Sequence, residues 1–307
     1  MNTLRRRLEP TVSGYRLASL AARGLPSVAG KFVAPTVGFG ASLLSSDKRA
    51  MVTRHIRRAD PTLGGMRLRR ATQEAFDSYS RYFIESFRLP HLSSQQVDRG
   101  MRVQGFEHVD AALALGNGVI LALPHLGGWE WAGRWMVDRG LGMTVVVEQL
   151  EPPELFEWFV ELRAKLGMNV VPLGPSAGRE TLAALKRNDV VCLLSDRDIH
   201  RTGIPVEFFG EVTTLPAGPA TLALRSGAPV LPTAVYFTDR TDGHLGVVRP
   251  ALDLARSGEG LRADVTAGTG VLASELEHLI RRAPQQWHLF QPNWPSDPGY
   301  YESNHGL

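Results

Sequence analysis

Residues 119–135 read VILALPHLGGWEWAGRW. The first five form a short continuous apolar run, the pattern of a strand buried on both faces of a sheet. Pro124 ends that run, His125 follows, and Gly127 and Gly128 free the backbone before a helix expected over about 129–139. A strand that runs into a loop and then a helix is the unit of an open α/β sheet. In such sheets the reactive groups collect where the strands end, at their carboxyl edge. His125 stands at that edge.

Outward from this stretch the rhythm repeats. MTVVV (143–147) reads as a strand, and PPELFEWFVELRAKLG as a helix with proline at its start and glycine at its end. NVVPL, a helix over RETLAALKR, the apolar run VVCLLS, VEFFG, a helix over GPATLALRS, PVLPTAVYF and HLGVVRP continue the series. A last helix is expected over 264–282, and WHLFQPNW closes the ordered chain. Strands alternating with helices predict a single α/β domain with a mainly parallel central sheet flanked by helices. Residues 96–307 are the expected α/β core.

Residues 1–95 read instead as a basic helical extension of the same domain. Gly30, Pro35 and Gly38 to Gly40 are expected to break its first part. Ser46 is the expected N-cap before DKRAMVTRHIRR. Over 66–88, Phe76, Tyr79, Tyr82, Phe83 and Phe87 recur at helical spacing, facing the core or an acyl chain.

Charge sharpens the division. Residues 1–70 hold 14 Lys and Arg against 3 Asp and Glu, a net of +11, while the remainder nets −8. Leu, Ala, Val and Phe lie between the basic residues, without the stacking aromatics that nucleic acid would call for. That composition suits an anionic membrane surface, with Tyr15 to Leu25 as an amphipathic interfacial helix. No apolar run approaches the ~20 residues a spanning helix needs, and Arg16, Arg23 and Lys31 interrupt any signal-like segment. A peripheral position on a membrane is the expectation. The one cysteine, Cys192, lies in an apolar run and is expected in the core of a protein from a reducing compartment. No Cys/His metal pattern is present, and no metal or cofactor is expected.

His125 and Glu130 are the candidate catalytic pair. Five residues at about 100° each would place them roughly 140° apart on one helix. They can meet if His125 lies in the loop and Glu130 reaches back from the first helical turn. A carboxylate on one imidazole nitrogen fixes the tautomer and frees the other as a general base. A histidine satisfied by backbone, beside a carboxylate that merely suits a helix start, reads equally well from spacing alone.

PHLGGWEWAG resembles the H-x4-D/E block of the bacterial lipid A biosynthesis acyltransferases, with Gly128 where asparagine is usual. LLSDRDIHRTGIPVEFFGEVTTLPAGPATLALRSGAPVLPTAVY resembles a second block of that family. The SDRD form, the helix ELFEWFVELRAKLGM and the basic N-terminus look closest to its actinobacterial branch, the phosphatidylinositol mannoside acyltransferases. The resemblance implies direct acyl transfer from acyl-CoA to a hydroxyl of a phospholipid or glycolipid acceptor, at the cytoplasmic face of the cell membrane. His125 would deprotonate the hydroxyl, and Glu130 would orient His125. Arg163, matching the family's arginine in R-x-x-x-G-M, would bind a phosphate. Glu148, Asp196, Arg197 and Asp198, just past strand ends, would contact substrate.

Three other readings remain open. Asp196–Arg197–Asp198 is also the D-x-D of metal-dependent glycosyltransferases. Gly174-Pro-Ser-Ala-Gly178 matches the nucleophile elbow of serine hydrolases, with Ser176 as nucleophile and Asp264 and His278 or His288 to complete a triad. Ser176 is equally well placed as a helix N-cap. A non-catalytic membrane-binding protein could keep the fold.

Overall fold

A computed structural model of the protein describes residues 27–148 and 153–302. The Tyr15–Leu25 segment lies outside them. Helices α1 (Ser27–Leu44), α2 (Ser46–Ala59), α3 (Gly65–Arg88) and α4 (Ser94–Gly100) come first. Then follow β1 (Met101–Gln104), α5 (Phe106–Ala114), β2 (Val119–Leu123), α6 (Trp129–Asp138) and β3 (Met143–Val147). Helix α7 (Pro153–Lys165), β4 (Asn169–Pro172), α8 (Ala177–Lys186) and β5 (Val190–Leu194) continue the alternation. Strands β6 (Ile204–Phe208) and β7 (Glu211–Leu215) precede α9 (Gly218–Ser226), β8 (Val230–Phe237), β9 (His244–Val248) and α10 (Leu261–Arg281).

Seven strands form one sheet in the order β1-β9-β8-β2-β5-β3-β4. From β8 to β4 they run parallel, while β9 is antiparallel to β8 and carries β1 parallel to itself. The mainly parallel α/β sheet read from the sequence is therefore present. Every residue of β2 is buried, as expected of a strand covered on both faces. Ile120, Ala122, Val191 and Leu193 face the core under α8, α9 and α10. Leu121 and Leu123 face the other core with Trp131, Trp135 and Met136 of α6. The strand period of two explains this division.

Several local expectations are corrected. The first three residues of VEFFG lie in β6, which pairs not with the main sheet but with β7 in an antiparallel hairpin. Phe209 and Gly210 at positive φ form its turn. Helix α1 runs unbroken through Pro35 and its glycines. Its Gly38 lies against α3, where a Cβ would meet Asp77 Cα at 2.8 Å, so the missing side chain serves a close helix–helix approach. Helix α2 starts at Ser46 itself, with Ser45 at the cap position and no capping bond from its side chain. Cys192 is half-buried, packed against the core on the α6 face, and it also lines a cavity. Burial, then the charge of Glu130, pushes its thiol up to about 12, which leaves it a neutral, poor nucleophile.

The C-terminal segment is tied down by a buried carboxylate. Asp297 accepts from Arg54, His55 and the backbone amides of Asn293 and Trp294. Burial would raise this carboxyl, but His55 and the two backbone amides outweigh it and hold it well below the usual range. The anchored segment carries Trp287 and His288 back to the carboxyl edge of β2, where Leu126 forms a bridge with Trp287.

Candidate active site

His125 sits two residues beyond β2. Its position is fixed by the backbone: Gly127 donates to Gln286 O at 3.0 Å and Gly128 to Val235 O at 3.1 Å. Gly127 has φ +61°, and a Cβ there would lie 1.9 Å from Val235 O, so only glycine fits. At Gly128 a Cβ would lie 2.7 Å from His244 Nε2. His244 stacks on Trp131 and bonds Glu85 at 2.8 Å, which accounts for glycine where asparagine was expected.

The imidazole is held by Asp196, not by Glu130. His125 Nδ1 donates to Asp196 Oδ1 at 2.6 Å, and the His125 amide reaches Asp196 Oδ2 at 3.1 Å. Trp287 Nε1 donates to the same Oδ2 at 2.7 Å. Asp196 is fully buried. Burial alone would raise its carboxyl, but His125, Trp287 and the His125 amide together hold it below the ordinary range. An ionised Asp196 favours the proton on Nδ1, an arrangement that leaves the Nε2 lone pair available to accept one. Nε2 has no protein partner among the described residues.

Glu130 turns the other way. Its Oε1 accepts from Tyr82 Oη at 3.1 Å and from Arg163 Nε and Nη2 at 3.0 and 2.5 Å. The expected reach back to His125 is thus replaced by a buried ion pair between the first turn of α6 and the last turn of α7. The Arg163 guanidinium is committed to this carboxylate, and both side chains are largely shielded from solvent. Trp129 stacks on Tyr82 and meets His125 edge-on at 6.0 Å.

A cavity of about 1330 Å³ opens over this edge of the sheet. His125, Glu130, Glu148, Arg163, Arg197 and Asp198 line it. One part is apolar, with Leu121, Ala132, Met136, Met143, Val145 and Met168 on the α6 face of the sheet. Tyr79, Tyr82 and Phe83 of α3 also line the cavity. Of that aromatic row, Phe76 packs in a core with Val52 and Ile56 instead. A second part lies on the opposite face, along α8 and α9. Arg197 pairs with Glu148, and Asp198 accepts from the Gly203 amide at 2.7 Å. The two carboxylates of the D-x-D are therefore committed to separate partners, Asp196 to His125 and Asp198 to backbone. Among the described residues no group of three or more His, Cys, Asp or Glu is placed to hold a metal.

The hydrolase constellation does not assemble. Ser176 occupies the cap position of α8 without a capping bond from its side chain. Asp264 accepts from Ser257, and His288 Nε2 bonds Ser78 Oγ at 2.8 Å. Sequence reasoning placed Asp196 among substrate contacts and overlooked Trp287. The signal for Asp196 was present: β2 and β5 are apolar runs of five, and His125 and Asp196 each stand two residues past the end. In the parallel ladder Leu123 pairs with Leu194, which brings the two side by side.

The bacterial lipid A biosynthesis acyltransferase family matches residues 21–296. The chain is 43% identical over 228 residues to a phosphatidylinositol mannoside acyltransferase of Mycobacterium tuberculosis, covering 73% of this chain and 70% of that one. Identity is 42% over 223 residues to the protein of that name in Mycolicibacterium smegmatis, covering 72% and 71%. A lipid A biosynthesis palmitoleoyltransferase of Escherichia coli is 24% identical over 217 residues, covering 70% and 68%.

Proposed function

Because the chain belongs to the bacterial lipid A biosynthesis acyltransferase family, we propose that it moves a long-chain fatty acyl group from acyl-CoA to a hydroxyl of a glycolipid, a mannose of phosphatidylinositol mannoside. The observation that carries the reading is His125, held by Asp196 through Nδ1 and lining a large, partly apolar cavity. Nε2 takes the proton of the acceptor hydroxyl as its oxygen attacks the thioester carbonyl carbon. The C–S bond then breaks, and the imidazolium returns the proton to the leaving thiolate. Asp196 stabilises the transient imidazolium. The apolar part of the cavity suits the acyl chain, and no acyl-enzyme is needed.

Glu130 and Arg163 act as a paired wall of this cavity, with Glu148 and Arg197 as a second pair near the acceptor. The test is incubation with labelled palmitoyl-CoA and a series of mannosylated phosphoinositides, with product identification. Acylated mannoside is the expected product. Release of free fatty acid alone, with every acceptor supplied, would sink the transfer reading.

The same proposal places the protein peripherally on the cytoplasmic face of the membrane. Among the described residues no helix is long and apolar enough to cross a bilayer. Helix α1 buries Ala34, Gly38 and Ser42 but exposes Val37, Phe39, Leu43 and Leu44 by more than half. An apolar outer face beside the basic residues of 1–70 is suited to insertion among anionic lipids. In vesicle flotation, Phe39→Ser with Leu43→Ser should weaken binding to anionic vesicles. Undiminished flotation would move the contact elsewhere.

A further inference from the structure

The acidic residues that line the cavity are all engaged: Glu130 with Arg163, Glu148 with Arg197, and Asp198 with the Gly203 amide. Arg163 and Arg197 are engaged in those two pairs, but three further basic residues are not. Arg179, Lys186 and Arg225 also line it, all three exposed, and none has a hydrogen bond or ion pair among the described residues. They stand on the sheet face opposite the apolar part. Arg179 lies near the start of α8 and Lys186 at its end, and Arg225 lies in the last turn of α9. Arg179 and Lys186 are seven residues apart, so they share one helix face about 10 Å apart along the axis.

We propose that Arg179, Lys186 and Arg225 form a phosphate-binding rim that takes the nucleotide phosphates of the acyl donor. Phosphate is the anion that cations of this kind recognise by charge-assisted hydrogen bonds. Three cations spread along two helices suit a ligand with separated phosphate groups better than the single phosphodiester of a lipid head group. The position also fits the division of the cavity. A donor whose thioester lies at His125 sends its acyl chain along one sheet face and its polar carrier along the other. The inference rests on the acyl-CoA reading above and adds to it the residues that grip the carrier.

Equilibrium binding of free coenzyme A needs no turnover, so it separates this inference from that reading. The triple variant Arg179→Gln, Lys186→Gln, Arg225→Gln should bind coenzyme A about tenfold more weakly or worse, a loss of about 1.4 kcal/mol. Wild-type protein should lose affinity as salt rises, and the variant should show a shallower dependence. Pantetheine, which lacks the phosphates, should bind both proteins alike. Arg179→Lys in the otherwise wild-type protein should keep most of the affinity. Unchanged coenzyme A binding in the triple variant would overturn the proposal. So would an equal loss for pantetheine, which would report a distorted cavity. A loss confined to the mannosylated phosphoinositide would assign the rim to the acceptor and overturn the donor assignment. Absence of wild-type turnover with intact, phosphate-dependent coenzyme A binding would instead fault the transfer reading and leave the rim standing.

Discussion

Two buried carboxylates flank the loop after β2, and they hold different partners. Asp196, from the end of the neighbouring strand, holds an imidazole. Glu130, from the first turn of the helix that follows, holds a guanidinium. Glu130 is five residues from His125 in sequence and Asp196 is 71, yet the distant one makes the bond. A helix directs its first-turn side chains by its own axis. A parallel ladder instead lines up whatever follows its strands. The His125–Asp196 pair is therefore a product of strand register, and the Glu130–Arg163 pair a product of helix packing.

The comparison can be broken by variants of each side. His125→Ala should give the largest loss of transfer, about 10²–10⁴-fold, with the fold retained. Near wild-type turnover of purified variant would remove His125 from the chemistry. Asp196→Asn should follow, with about 10²-fold or more lost, because an amide on Nδ1 can stabilise the wrong tautomer and no longer balances the imidazolium. Initial rates with palmitoyl-CoA measure both.

Glu130→Gln should act more on stability than on rate. It leaves the Arg163 guanidinium without its counter-charge, and breaking a buried pair costs about 3–5 kcal/mol. Thermal unfolding and rates measured on the same sample check this. A variant that unfolds normally but turns over as poorly as Asp196→Asn would erase the distinction drawn between the two carboxylates.

A smaller effect should appear in the pH dependence of unfolding. Burial, and after it the neighbouring charge of His125, hold His288 down at about 3, against an upward pull from Asp196. Between the ordinary histidine value near 6.5 and about 3, the unfolded chain binds a proton that the folded chain refuses. Stability should therefore fall as pH drops through this window. His288→Gln should flatten the upper part of the fall, between about 6.5 and 5, where carboxylates contribute least. An unchanged slope would mean that His288 takes up its proton when folded. Smallest of all, Ser176→Ala should change stability by about 0.5 kcal/mol or less and leave transfer intact. A dead variant would return the serine to the chemistry.

What the sequence made legible follows the same physics. β2 and β5 stand out because strands covered on both faces must be continuously apolar. Strand β1 (MRVQ) was overlooked, because it is short and only one of its residues is fully buried. Strand β7 escaped because EVTTL belongs to a hairpin outside the sheet. The reversal of β9 had a local signature that went unread: only six residues, TDRTDG, separate it from β8, too few for a parallel crossover. His125 was found because a strand end next to two glycines is a local pattern. Asp196 shares its offset past a strand end, but that β2 and β5 are neighbours is not encoded in single-sequence spacing. Gly38 was read as a helix breaker because the surface of α3 that demands it lies far along the chain.

Leu123 pairs with Leu194, and His125 and Asp196 stand the same number of residues beyond. What mutation must preserve here is a count. Insertions in loops outside β2, β5 and the two residues that follow each leave the count untouched. One residue gained or lost inside β2 or β5 moves its reactive group off the other and turns its apolar residues to the wrong face at once. Substrate preference can drift by small steps in such a fold, whereas the pairing of base and carboxylate has no partial form through which to drift.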